Sequence, residues 1–298
     1  MALRGAVYVN GKIAPAQDAV VPVYDHGFLY GEGVYETLRT YNRVPFLYDR
    51  HMTRLRASSR RIQLEVPFTD DELARWIDET VAAAGELEEA YIRILFTRGV
   101  GELNYDPKST PKPTTVIIVK PLEPPPARVF DDGINICLVP VLRNHPGSVN
   151  PLIKANNLLN NALAMQEANR RGGEEGLMCN YRGELAECSQ ANFFMVRDGV
   201  VLTPKSEAGL LEGITRAFLF EVGRDAGIDV REATLLPADL ETADEAFITS
   251  TTRELSPVTR IDGRPVGTGK VGAITKKLLE GYRKRAQELT RTAAAARP

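Results

Sequence analysis

The chain has 298 residues, with 37 Lys and Arg against 39 Asp and Glu and a formal net charge of -2. That balance argues against a dedicated nucleic-acid binder, which needs a basic excess to meet phosphate, and 43% hydrophobic with 26% charged residues excludes wholesale disorder. A length near the limit of a single core points to two domains of moderate size.

Cys137, Cys179 and Cys188 cannot all pair and are not spaced as a metal knuckle, which suits a reducing compartment. With only His26, His51 and His145, no metal site is expected. The opening MALRGAVYVNGK reaches Asn10-Gly11 before any long apolar stretch, so neither a secretory signal nor a targeting peptide is expected. No apolar run approaches the roughly 20 residues needed to span a bilayer. The expectation is a cytoplasmic protein without membrane or nucleic-acid partners.

In chain order, Asn10-Gly11 between two apolar runs predicts a hairpin with a type I′ turn, and a strand follows over 33–41. His51, Met52, Leu55 and Ile62 recur at helical spacing among arginines over 50–63, an amphipathic helix with a basic face. Thr69-Asp70-Asp71-Glu72 is a capping box opening a second helix, with Trp76, Ile77 and Val81 on its inner side. Strands are predicted over 91–96 and 115–119. The four prolines of 121–126 (PLEPPP) remove backbone donors and favour extension, which places an interdomain linker at 121–130, between an N-terminal α+β domain of 1–120 and a larger domain of 131–298.

In that second region the pattern predicts strands over 133–140 and 176–180, with a helix over 155–170 between them. Strands over 192–196 and 200–202 flank the Arg197-Asp198-Gly199 turn, and a helix covers 215–226. A strand over 245–249, a pair over 258–261 and 264–266 around Asp262-Gly263, and a helix over 271–289 follow. The end from Thr290 to Pro298 lacks an apolar face and is expected to fray. Strands and helices mix without the strict rhythm of a doubly wound sheet.

Walker, G-x-G-x-x-G, H-E-x-x-H and G-x-S-x-G motifs are all absent. Four other features carry chemistry. Lys154, after Pro151-Leu152-Ile153 and at the start of a predicted helix, has an amine beside apolar residues, the surroundings of a Schiff-base nucleophile; a solvated lysine is the ordinary alternative. Glu187 sits where an extended stretch passes into small polar residues, and its carboxylate suits a cofactor ring nitrogen, with Ser189 nearby. Gly209 to Arg216 reads as a glycine-bearing loop entering a helix at Thr215, an anion site or a simple cap. Thr249-Ser250-Thr251-Thr252 leaves a strand with four hydroxyls, phosphate donors or ordinary turn residues.

These features occur in one order. The segments GVYETLRTYN, RHMTRLRAS, IKANNLLNNALAMQEA, GELAECSQANFF, GLLEGITR and ITSTTRE resemble the class IV aminotransferases of pyridoxal 5′-phosphate (PLP) fold type IV, over nearly the whole chain. The resemblance implies a two-domain α/β (α+β) fold, with a small N-terminal α+β domain and a larger, mixed, barrel-like C-terminal one. It implies PLP as cofactor, with Lys154 forming the Schiff base and shuttling the substrate proton, and Glu187 on the pyridine nitrogen. Arg54, Ile214, Thr215 and Thr251 would form the phosphate cup, with Ser189 and Leu211 completing the cofactor set. Tyr30, Tyr35, Tyr91, Arg93, Arg98 and Thr252 would bind substrate.

The implied reaction is ping-pong transfer of an amino group to 2-oxoglutarate. Branched-chain L-amino acids are ranked first as donors, D-amino acids or (R)-amines next, and aminodeoxychorismate lyase activity third. Tyr91-Ile92-Arg93 matches the branched-chain group, whereas Thr97-Arg98-Gly99 looks like the D-amino-acid group; on one strand residues 93 and 98 point to opposite faces. The tyrosine that branched-chain enzymes carry shortly after the lysine is absent, and Thr37 follows Glu36 in place of their glycine. The resemblance also implies a homodimer, with residues around Tyr30 or the 99–106 loop crossing to the neighbouring subunit. A small-molecule binding module without catalysis is the alternative from another class.

Overall fold

The computed structural model of the chain describes residues 3–295. Its backbone separates into two compact units. One is built from the chain up to residue 123 together with 153–158 and the end from 289; the other comprises 124–152 and 159–288. The division is therefore not one cut at the proline-rich stretch, where residues 127–131 are helical: Lys154 is grouped with the first unit although the sequence around it belongs to the second.

The first unit opens with the hairpin of β1 (Ala6–Val9) and β2 (Lys12–Pro15), whose two-residue turn has Asn10 at φ 46° and Gly11 at φ 91°, the left-handed pair that a type I′ turn requires. It continues through α1 (His26–Tyr30), β3 (Gly33–Tyr41), β4 (Val44–Pro45), α2 (Tyr48–Arg61), α3 (Asp70–Ala83), β5 (Ala90–Thr97) and β6 (Thr114–Pro121). The strands form one sheet in the order β2-β1-β6-β5-β3-β4. Alternation along β3 turns Val34, Glu36 and Leu38 inward, all fully buried, while Tyr35 and Thr37 stand half-buried opposite Leu95 and Arg93 of β5. The inner face packs Ile92, Ile94, Phe96, Ile117 and Val119 against Met52 and Leu55 of α2 and Leu73 and Ile77 of α3. Trp76 and Val81 are partly buried against the same core. The predicted capping box is present, with Thr69 accepting from the Glu72 amide.

The second unit contains α4 (Ala127–Asp131), β7 (Ile134–Val139), α5 (Leu159–Arg170), β8 (Glu175–Cys179), β9 (Leu185–Cys188), β10 (Asn192–Arg197), β11 (Val200–Pro204), α6 (Ile214–Ala226), β12 (Val230–Ala233), β13 (Glu245–Ser250), β14 (Glu254–Ile261), β15 (Arg264–Pro265) and most of α7 (Ala273–Ala295). Its sheet runs β12-β11-β10-β13-β14-β7-β8-β9, with β15 paired to β14. Among the described residues the β11–β12, β14–β7 and β7–β8 pairs are parallel and the other pairs of this sheet antiparallel. Phe193, Phe194, Met195 and Val196 of β10 are all buried, as in a central strand covered on both faces.

Two expectations about helices are corrected. The helix predicted from Ala155 begins at Leu159. Residues 154–156 give their backbone groups to β3 instead: Tyr35 N donates to Lys154 O, Asn156 N donates to Gly33 O, and Ala155 bridges Val34. Asn156 and Asn157 are poor helix formers that compete locally for backbone hydrogen bonds, so nothing opposes that pairing. The end of the chain does not fray at Thr290. Helix α7 continues to Ala295, and Thr290 is buried and accepts from Asn42 Nδ2. Residues 296–298 of that expectation lie outside the described residues.

Candidate active site

In the first unit Lys154 is held by its backbone from two sides. Its amide donates to Ser58 Oγ of α2 at 3.1 Å, and its carbonyl accepts from Tyr35 of β3 at 2.9 Å. With the main chain pinned, the side chain is directed over the Tyr35 ring, Nζ lying 4.3 Å from the centroid. The Arg93 guanidinium lies 4.1 Å from the centroid of the same ring. Neither cation has a carboxylate within ion-pair distance among the described residues. The site thus gathers an amine, an arginine and a phenol on one half-buried sheet face, with Tyr91 on the same face by strand alternation.

Arg98 is placed differently. It lies one residue past the end of β5, so the two-faces expectation, which needs both arginines on one strand, does not apply. Arg98 is 6% exposed, its Nε pairs with Glu32, and Nη1 and Nη2 donate to the carbonyls of Gln63 and Ile62. Two nitrogens of its fork tie the loop to the end of α2, and the third ties it to Glu32 ahead of β3. Tyr30 packs edge-on to His26 at 4.9 Å and tilted to Tyr105 at 5.0 Å, within the loop pair that the Asp25–Val100 bridge joins.

Arg54, on the α2 face toward β3, makes a two-pronged ion pair with Glu36: Nε to Oε1 and Nη2 to Oε2, each 2.8 Å. His51, one turn earlier, places Nδ1 2.7 Å from Glu36 Oε2. Burial alone would raise the Glu36 pKa; the charge and hydrogen bonds of Arg54, helped by His51, outweigh it and hold the carboxyl well below the usual carboxylate range. Burial pushes the His51 pKa down against the pull of Glu36. Facing an acceptor-only carboxylate, the ring places a hydrogen on Nδ1.

In the second unit Glu187 is 5% exposed near the end of β9. A tight turn, in which the Cys188 amide donates to Ala191 O, brings Asn192 back beside it at the start of β10. Three donors meet the carboxylate: Arg143 Nε on Oε1 at 2.8 Å, and Asn192 Nδ2 at 3.2 Å with the Leu211 amide at 3.1 Å on Oε2. Asn192 Nδ2 also donates to Leu211 O at 2.8 Å, and Arg143 is held in turn by Asn160 Oδ1. A carboxylate offers about four lone-pair sites, so three donors fix its plane while leaving capacity for one more.

Two residues beyond Leu211, Gly213 caps α6 without any side-chain acceptor, so the first-turn amides of Ile214 and Thr215 form an anion-receptive helix start. A Cβ on Gly213 would meet Asn192 Oδ1 at 2.0 Å; the loop approaches the Glu187 support that closely. Ser189 is buried and turned into the sheet, its Oγ accepting from Gly176 N at 3.0 Å. Thr251 and Thr252 are half-buried in the turn between β13 and β14, and Arg253 beside them lies 2.8 Å from Glu175 Oε1 of β8.

Sequence reasoning singled out Lys154, Arg54, Glu187 and the start of α6, but not the residues that hold them. Ser58, Glu36 and His51 in the first unit, and Arg143, Asn160 and Asn192 in the second, enter only through tertiary contact. Asn192, five residues after Glu187 across a turn of small residues, carried a readable signal; Arg143, 44 residues away, carried none.

The chain is similar to known proteins over nearly its whole length. The family description Amino-transferase class IV matches residues 33–261. A Methanocaldococcus jannaschii protein provisionally named a branched-chain-amino-acid aminotransferase is 40% identical over 277 residues, 93% of this chain and 95% of that one. A Listeria monocytogenes D-alanine aminotransferase is 34% identical over 288 residues, 96% of each. Among solved structures, the Escherichia coli branched-chain amino acid aminotransferase superposes with a TM-score of 0.90 at 30% identity, covering 95% of this chain and 94% of that one.

The chain belongs to the class IV aminotransferases. Its mixed α+β architecture is that of fold type IV, its activity is transamination, and its cofactor is pyridoxal 5′-phosphate.

Proposed function

We propose that the chain is a branched-chain L-amino-acid transaminase that passes the amino group to 2-oxoglutarate by a ping-pong cycle. Pyridoxal 5′-phosphate supplies an electron sink that acidifies the substrate Cα–H bond. Lys154 Nζ takes that proton and later returns it, from an amine that its backbone anchors at Ser58 and Tyr35 hold in place. Glu187, fixed by Arg143, Asn192 and Leu211, holds a proton on the ring nitrogen. Arg54, the Ile214 and Thr215 amides and Thr251 bind the phosphate, with Leu211 and Ser189 supporting that cup. The uncapped start of α6 supports a phosphate there, and the three donors on one carboxylate support an anion facing the ring nitrogen. Tyr30, Tyr35, Tyr91 and Thr252 line the substrate side.

The observation that carries the substrate class is the contrast between the arginines. Arg93 stacks on Tyr35 beside Lys154 Nζ, while all three Arg98 nitrogens are engaged by Glu32 and two backbone carbonyls. Arg93 with Tyr91 is therefore the carboxylate reader, as in the branched-chain reading. D-amino-acid transamination is the second reading, favoured by the similarity to the Listeria enzyme and by Leu158 and Leu159 where branched-chain enzymes carry a tyrosine.

Kinetics of Arg93→Ala and Arg98→Ala with L-leucine and D-alanine decide. Loss of L-leucine turnover in Arg93→Ala supports the first reading; D-alanine as the better donor, lost only in Arg98→Ala, replaces it. Borohydride should fix a phosphopyridoxyl group onto Lys154, and Lys154→Ala should lose turnover while staying folded; turnover near the wild-type level would overturn the Lys154 assignment.

We propose also that the protein is a cytoplasmic homodimer. No helix among the described residues is long and apolar enough to cross a membrane. Val23, Phe28, Leu103 and Tyr105 are exposed together on the loop pair around Tyr30, an apolar surface suited to a second copy. Light scattering at monomer mass would refute the dimer.

A further inference from the structure

The pair that Arg54 makes with Glu36 raises a question of design. A carboxylate on the inner row of β3, between Val34 and Leu38 and with no exposure of its own, is unfavourable unless it is paired and hydrogen-bonded. Here it is both. Two parallel N–H···O bonds from one guanidinium fix not only the position of Arg54 but the plane of its fork. His51, three residues before Arg54 on the same face of α2, locks the second oxygen from the other side. A long arginine side chain left to itself explores many rotamers; this one is referenced to the central sheet.

The same helix face continues, four residues past Arg54, to Ser58, whose hydroxyl receives the Lys154 amide. Arg54 faces both Glu36 and His51, and the Lys154 charge acts on His51. One helix, fastened to β3 through Glu36, sets the spacing between the phosphate fork and the Schiff-base lysine.

We infer that Glu36, clamped by His51, is the positioning residue for Arg54: it fixes the guanidinium in the orientation that receives the cofactor phosphate and so sets the preference for phosphorylated over unphosphorylated cofactor. The inference rests on Arg54 as a phosphate ligand. Glu36 touches neither cofactor nor substrate in this account and acts only through the fork. A purely structural carboxylate would weaken both forms of the cofactor equally, or neither.

The test is titration of full-length apoenzyme with pyridoxal 5′-phosphate and, separately, with pyridoxal, by calorimetry, with a thermal melt of each variant. Arg54→Ala should weaken the phosphorylated form at least about tenfold and leave pyridoxal within about twofold. Glu36→Gln should reproduce that selective loss, Glu36→Asp should restore part of it, and Glu36→Gln added to Arg54→Ala should cause no further loss. If Arg54→Ala weakens both cofactors alike, the phosphate reading itself fails. If Arg54→Ala is selective and a folded Glu36→Gln is not, the positioning role is wrong and the phosphate reading stands. Should Glu36→Gln fail to fold, His51→Leu, which removes the Nδ1 donor but keeps the Arg54 pair, decides in the same assay: selective loss supports the role, unchanged selectivity overturns it.

Discussion

Replacing Arg143 by Met should destabilise the apoenzyme by about 3 kcal/mol, because it strips the buried Glu187 carboxylate of its one cationic partner among the described residues. Arg143 and Glu187 side chains are 8% and 6% exposed, and Nε and Oε1 are 2.8 Å apart. At that separation and an effective dielectric of about 20 the gross attraction is about 6 kcal/mol. Desolvation of both ions offsets much of it, so the net value of the intact pair is small while breaking it is expensive. Glu187→Gln removes the opposite charge but leaves the guanidinium with Asn160 Oδ1 as acceptor, so its cost should be lower, about 2 kcal/mol. The double variant replaces a half-broken pair by two neutral groups and should lie well above the sum of the single losses, with a coupling of about 2 kcal/mol. Urea unfolding of the four apoproteins, followed by circular dichroism, measures the cycle. Single effects that add within about 0.5 kcal/mol would show that the two charges do not sense each other and refute the argument.

Gly213→Ala forces a methyl to within 2.0 Å of Asn192 Oδ1 and should lower apoenzyme stability by about 1 to 3 kcal/mol, as overpacking does; an unchanged urea midpoint would show that the loop moves freely. Thr69→Ala removes the acceptor for the Glu72 amide at the start of α3 and should cost about 1 kcal/mol, against a few tenths for Thr69→Gly in the same denaturation assay; equal losses would deny the cap its role. On acidification, stability should fall in two stages. His51, whose folded pKa is lowered, makes the unfolded chain bind more protons below its unfolded value of about 6.5. Glu36, also lowered, does so below about 4.3. Glu36→Gln, less stable at neutral pH, should therefore flatten the loss below about pH 4 in melts across pH 3 to 7; a wild-type slope there would place the acid sensitivity elsewhere.

What was legible in the sequence was local. The Asn10-Gly11 and Asp198-Gly199 turns have positive φ at both residues, and the Thr69 to Glu72 box caps α3, because turn and cap chemistry is settled within four residues. Strand alternation places Tyr91 and Arg93 on one face of β5, since a period of two needs no partner to be read, whereas the pairing of β3 with β5 decides that Tyr35 shares it. The order of short motifs named the family, because a lysine, a carboxylate and a glycine-marked helix start must all be present for one cofactor.

Tertiary structure decided the rest. The segment 154–156 has a sequence that can continue a helix, yet it pairs with β3, about 120 residues earlier in the chain; a local pattern cannot register a competitor so distant. Arg93 and Arg98, five positions apart and alike in composition, were separated only by their surroundings. One stacks on an aromatic ring and the other has its fork closed by Glu32 and two carbonyls. Glu36, an acid on the inward row of β3, finds His51 and Arg54 opposite it only because α2 packs there. Buried charges are meaningful only with their partners, and partners are chosen by the fold.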